Sequence, residues 1–256
     1  MGWLLRLDRT PRLILLSVFL GVVGALGAQL FLWLLHLGEV WILTPISGYK
    51  FVGVAQAHAM THAPAHHWYW LIPVATTLGG LLSGVLVYSL APEAEGHGTD
   101  AAVKTFHRNN GRMRYRVPLV KTIASAITIG SGGSAGREGP TAQIAAGVGS
   151  ITGALLKLPD AERRYLVLIG MAAGLSAIFK SPLGTAFFAV EILYSTMAFE
   201  GGALIFTLIA AAVAYAITGL FEGWTPLFLL PQGVGFGAPV DLFWFVVLGG
   251  LAGSVG

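Results

Sequence analysis

Long apolar runs separated by short polar or glycine-rich breaks dominate the chain. Residues 13–44 are almost wholly apolar, and residues 69–90 and 201–221 form two further runs. Each reaches the roughly 20 residues needed to cross a bilayer core, and the first is long enough to cross at a tilt. Gly21, Gly24 and Gly27 recur every three positions in that first run and predict a face for close helix contact. Between residues 96 and 197 the runs shorten. Segments 101–107, 117–130, 140–156, 160–179 and 182–197 read as helices, several too short to cross fully. They predict half-helices meeting inside the membrane. Residues 45–68 and 222–239 read as loops. A last run, 240–256, stops within a predicted helix, so the sequence reads as part of a longer one.

The break at Gly130-Ser131-Gly132-Gly133-Ser134-Ala135-Gly136-Arg137-Glu138-Gly139-Pro140 is the least expected element. A flexible, charged run between two apolar segments belongs beside something wet. Pro140 suits the first position of the next helix, where a missing N–H is harmless. A helix beginning inside a bilayer presents unpaired N–H groups and the positive end of its dipole, a ready anion site. Glu138 would then stand as a carboxylate at its mouth.

Composition supports an all-α integral membrane protein. Of 256 residues, 55% are hydrophobic and 11% charged, against roughly 25% charged in soluble domains. The absence of cysteine excludes disulfides and thiolate chemistry. The net charge of +3 matters less than its distribution. Arg6, Arg9 and Arg12, the 104–116 segment, and Lys157, Arg163 and Arg164 carry most of the fifteen basic residues. The positive-inside rule therefore puts the amino terminus and the 104–116 and 157–164 loops in the cytoplasm. The 45–68 and 222–239 loops then face outward, in a multi-pass protein expected in the plasma (inner) membrane. The amino-terminal apolar stretch is too long for a signal-peptide h-region and has no clear cleavage site.

Gly136-Arg137-Glu138-Gly139-Pro140-Thr141, followed by Gln143-Ile144, resembles the signature of the CLC family of chloride channels and chloride/proton antiporters. Residues 88–93 resemble the approach to that family's first anion loop. Residues 170–175, Phe179, Pro182-Leu183 and Glu191 resemble its next helix pair. The resemblance implies a homodimer in the bilayer, each subunit with its own pore built from two inverted repeats. Residues 1–239 would be the first repeat and 240–256 the start of the second. It implies that Glu138 is a gate, displaced by protonation or by a competing anion. Gly96, His97, Gly98, Thr99, Gly136, Arg137 and Gly139 would surround the anion, with chloride as the transported ion.

Two departures from the family pattern bear on function. The first anion loop usually reads Gly-Ser-Gly-Ile-Pro; here it is Gly96-His97-Gly98-Thr99-Asp100. His97 either replaces the serine hydroxyl with an imidazole N–H or points away and leaves coordination to backbone N–H groups. Asp100 suits a helix cap but adds negative charge near the site. Antiporters of the family also carry an internal proton-relay glutamate, at the position occupied here by Ile192. Glu191 lies one residue earlier, about 100° around a helix. The expectation from this is a passive voltage- or pH-gated channel, with a chloride/proton antiporter using another proton route as the alternative. The absent second repeat raises a third reading, a non-transporting half-protein acting as a membrane assembly or interaction subunit.

Other motifs add less. His58, His62, His66 and His67 have the spacing of a helical metal site, or form a solvated loop that binds nothing specific. Lys121 and Lys180 either raise the potential of an anion vestibule or snorkel to the interface. The basic 104–116 run fits topology better than nucleic-acid binding. Ser134 with His97 is the only weak nucleophile–base pair, so neither enzymatic activity nor a cofactor is expected.

Overall fold

The computed structural model describes residues 7–49, 68–194, 201–225 and 237–255. Regular structure among them is entirely helical. Helix α1 spans Arg9–Gly38 and continues through a π-turn, Glu39–Leu43, into the short α2, Thr44–Ser47. Pro45 lacks the N–H that would carry the α ladder onward, and the backbone widens just before it. Gly48, at φ +70°, ends the element, a left-handed stop that glycine adopts without strain. His58, His62, His66 and His67 lie outside the described residues.

Helix α3, Ile72–Leu90, follows a 3-10 turn at Tyr69–Leu71 and matches the predicted second span. The short α4 is Thr99–His107, two residues longer at its start than its apolar pattern suggests. Gly98 takes the cap position, so Asp100 is not the cap. It lies within the first turn, where a carboxylate still complements the dipole. Helix α5 is Arg116–Gly130 and α6 is Glu138–Leu155. Pro140 is therefore third in its helix rather than first. The position remains tolerable because the first four N–H groups of any helix lack internal partners.

Helix α7, Asp160–Phe179, and α8, Pro182–Tyr194, flank a left-handed Lys180. Helix α9 is Gly201–Glu222 and α10 is Asp241–Val255. Among the described residues, three elements are long and apolar enough to cross a membrane: Arg9–Ser47, Tyr69–Leu90 and Gly201–Glu222. Helix α10 has no buried residue.

The packed body is built around α7, of whose twenty residues fifteen are buried. A helix apolar on all sides belongs at such a centre. Its neighbour α6 approaches backbone to backbone. A Cβ on Gly149 would collide with the Leu166 carbonyl, and one on Gly170 with the Ala145 carbonyl. Small residues permit this close approach where lipid supplies no hydrophobic force between helices. From α1, Gly21 packs on Ala210 and Val213 of α9, and Gly24 on Ala173 of α7. At Gly27, the third of the predicted row, a Cβ would meet no atom within 4 Å, so the close contact does not extend to this position.

Polar ties fix the ends of this body. Arg12 donates to Glu162 at 2.6 Å, both nearly buried, and Arg9 lies 5.1 Å from the centre of the Tyr165 ring. Lys180 pairs with Glu222 at 3.2 Å, while Gln29 donates to the other oxygen of Glu222 at 2.7 Å. Lys180 thus acts in an ion pair rather than snorkelling freely.

The Arg12–Glu162 pair gives a stability prediction. Breaking a buried pair strands the remaining charge, whereas removing both partners does not. Arg12→Met should lower unfolding stability by about 3 kcal/mol, and the Arg12→Met/Glu162→Leu double variant should recover most of the loss. Thermal denaturation in detergent compares the two; a double variant no better than the single would refute this account.

Candidate anion site at converging helix starts

The site forms where the starts of α4 and α6 meet. The loop between α3 and α4 carries Gly96 at φ +81° and Gly98 at φ +102°, in the region that side chains rarely adopt. Gly98 then presses against the other helix start. A Cβ on it would stand 2.5 Å from the Gly139 carbonyl oxygen, and one on Gly139 would collide with the His97 carbonyl. With glycine at both positions, two helix amino termini converge. Their unpaired N–H groups and positive dipole ends border a single cavity of about 780 Å³.

Gly96, His97, Thr99, Gly136, Glu138 and Gly139 all line that cavity. His97 lines it and is exposed. Glu138 is the first residue of α6, and its Oε2 folds back over Gly136, where a Cβ would collide with it. Gly136 therefore makes the space that the carboxylate occupies. Ser134 also lines the cavity, whereas Ser131 is buried, donates to the Thr128 carbonyl at 2.9 Å and packs against Gly79 of α3.

Arg137 is not among the lining residues. It takes the cap position of α6, and its carbonyl accepts from the Thr141 N–H at 3.2 Å and the Thr141 hydroxyl at 2.8 Å. Gly98 is buried behind the surface, holding the contact rather than facing the cavity. Glu191 is exposed on α8, and Ile192 packs against the apolar core. Neither borders the cavity.

Lys121 does border it. The residue is only 4% exposed, and its Nζ donates to the carbonyls of Ala94 at 3.0 Å and Gly96 at 2.6 Å. Lys121 thus ties α5 to the α3–α4 loop and leaves its positive charge beside the site. Snorkelling to an interface does not describe it.

Three further residues make contacts that the sequence does not indicate, although Gln143 and Tyr88 stand in the segments that carry the resemblance. Gln143, fully buried on α6, donates from Nε2 to the Glu93 carbonyl at 3.0 Å, and its Oε1 lies under Gly98 without a hydrogen-bond partner. Tyr88 of α3 donates to Glu95 at 2.9 Å. Glu95 lines the main cavity and also a second one of about 330 Å³ on the side of the basic loop. The second cavity is bordered by Asp100, Lys104, Arg112 and the Glu93–Arg114 ion pair, 2.6 Å apart.

Comparison with known proteins fits this architecture. Residues 79–256 match the family model described as voltage gated chloride channel. The chain is 32% identical over 197 residues to the H(+)/Cl(-) exchange transporter ClcA of Salmonella arizonae, covering 75% of this chain and 41% of that protein. It is 30% identical over 253 residues to the voltage-gated ClC-type chloride channel ClcB of Yersinia pseudotuberculosis, covering 96% and 56%. Among solved structures, a slow cyanobacterial Cl-/H+ antiporter superposes with a TM-score of 0.75 at 22% identity, covering 97% of this chain and 55% of the other. A CLC-type fluoride/proton antiporter superposes with a TM-score of 0.66 at 25% identity, covering 92% and 53%. The chain spans about half the length of the relatives it matches. Its helical architecture is that of CLC transporters, and the chain belongs to the CLC, or voltage gated chloride channel, family.

Proposed function

We propose that the protein exchanges chloride for protons across the membrane, with Glu138 as the group for which the two ions compete. The observation that carries this reading is the shared cavity, where two helix amino termini and the Glu138 carboxylate meet. Chloride and an ionised carboxylate seek the same positive potential, so each displaces the other. Protonation neutralises Glu138 and frees the position for chloride; departure of chloride lets the ionised side chain return. A site that holds either anion but not both couples the ions in opposite directions.

The passive-channel expectation rested on Ile192 at the position of a proton-relay glutamate. Against it stand relatives named as H(+)/Cl(-) exchange transporters and a solved neighbour, 25% identical, that is a fluoride/proton antiporter, while the ClcB relative is named a channel. Exchange is the better-supported reading, with Ile192 requiring the proton to travel by another route. In this reading the amino terminus and the basic 104–116 loop are cytoplasmic, the protein sits in the plasma membrane as a homodimer, and residues 1–239 form the first of two repeats.

Reconstitution of the full-length protein into liposomes tests this reading. Glu138→Ala should abolish proton movement driven by a chloride gradient while chloride efflux continues and loses its pH dependence. An unchanged pH response would remove Glu138 from the gate. Gly139→Ala should lower chloride flux on the order of a hundredfold, the scale expected for misplaced site groups, because its methyl would displace the His97 carbonyl. Wild-type flux from a folded Gly139→Ala protein would show that the helix contact is not needed.

A further inference from the structure

If Glu138 exchanges protons across the membrane, one limb of their route joins it to the side of the basic loop. Glu191 and Ile192, the two α8 positions considered for this role, border neither the cavity around Glu138 nor the cavity at the basic loop. Among the described residues, Glu95 is the one side chain that lines both.

We propose that Glu95 is the proton-transfer residue that carries protons between the basic-loop side and Glu138. The proposal rests on the exchange reading above and assigns it a route. A proton entering the 330 Å³ cavity binds the Glu95 carboxylate. It then leaves that carboxyl group, crosses water in the 780 Å³ cavity and binds the Glu138 carboxylate. No other bond is made or broken, and Glu95 returns to its ionised form. A water takes up about 30 Å³ of liquid volume, so the larger cavity has room for a connecting chain.

The surroundings of Glu95 suit a transfer group. Tyr88 donates to it at 2.9 Å, and a phenol oxygen can both donate and accept. Tyr88 can therefore hold the carboxyl group in either protonation state, as a positioning residue. On the side of the larger cavity its charged and titratable neighbours are His97 of its own loop, Lys121 of α5 and Glu138 of α6. On the other side they are Glu93 of the α3–α4 loop, Asp100 and Lys104 of α4 and, from the basic loop, Arg112 and Arg114.

The other carboxylates lack this placement. Glu93 is engaged by Arg114 at 2.6 Å, and both Glu93 and Asp100 border only the basic-loop cavity. Lys121 directs its ammonium group to two backbone carbonyls. Glu95 is also exposed, so the carboxyl group is open to water.

The test measures proton and chloride flux together in liposomes carrying the full-length protein. Glu95→Gln keeps the shape and the Tyr88 contact but cannot ionise. It should lower proton flux per chloride about tenfold or more, a modest loss for a removed acid–base group, while chloride flux stays near wild type. Glu95→Asp should retain exchange, and Tyr88→Phe should reduce the proton-to-chloride ratio only partly. Wild-type exchange in Glu95→Gln overturns the proposal, as does equal loss of both fluxes, which would make Glu95 part of the chloride site. Failure of the underlying reading looks different: the wild-type protein would then move no protons at all. If wild type exchanges and Glu138→Gln abolishes exchange but Glu95→Gln does not, only the role of Glu95 falls.

Discussion

Everything at the site depends on two polypeptide backbones touching where side chains normally keep them apart. Gly98 and Gly139 bring the starts of α4 and α6 together, so that two positive dipole ends act on one volume. A single helix start attracts an anion weakly in water; two of them aimed at one volume add their fields there. The neighbouring groups preserve that contact. Lys121 grips the loop from α5, Gln143 grips it from α6, and the glycine-lined seam between α6 and α7 sets α6 against the core.

That support explains why the best-packed helix is not the one that carries the chemistry. Helix α7 borders neither of the two cavities, yet it is the most buried element. Its role is to provide a stiff back wall. Gly149 and Gly170 allow α6 to lie flush on it, and an atomically close-packed seam transmits little slack. Glu138 therefore projects from a helix with a fixed position, leaving the side chain as the movable part.

Much of this was legible in the sequence where meaning is local. The long apolar spans point to the membrane class, and the break with its contiguous Gly-Arg-Glu-Gly-Pro run marks the place of the site, without any tertiary information. Helix starts were less legible. Asp100 and Pro140 are good start signals, but Gly98 tolerates a positive φ that places the cap two residues earlier, and Glu138 itself begins α6. Least legible were residues defined by distant contacts. Gln143 meets Glu93 fifty positions away, and Glu95 acquires its setting from Tyr88 on the preceding helix. Arg137 shows the converse: the resemblance put it around the anion, while its backbone carbonyl accepts from Thr141 and its side chain does not line the cavity.

The unpartnered oxygen of Gln143 has a consequence for the shape of the ion's route. It is an acceptor, carrying partial negative charge, and it lies immediately beneath Gly98. An anion that moved straight through the seam between α4 and α6 would exchange N–H donors for a like-signed dipole. Under the proposed exchange, the seam is an electrostatic floor that turns chloride sideways around the helix starts, so the amide that braces the loop would also bend the path.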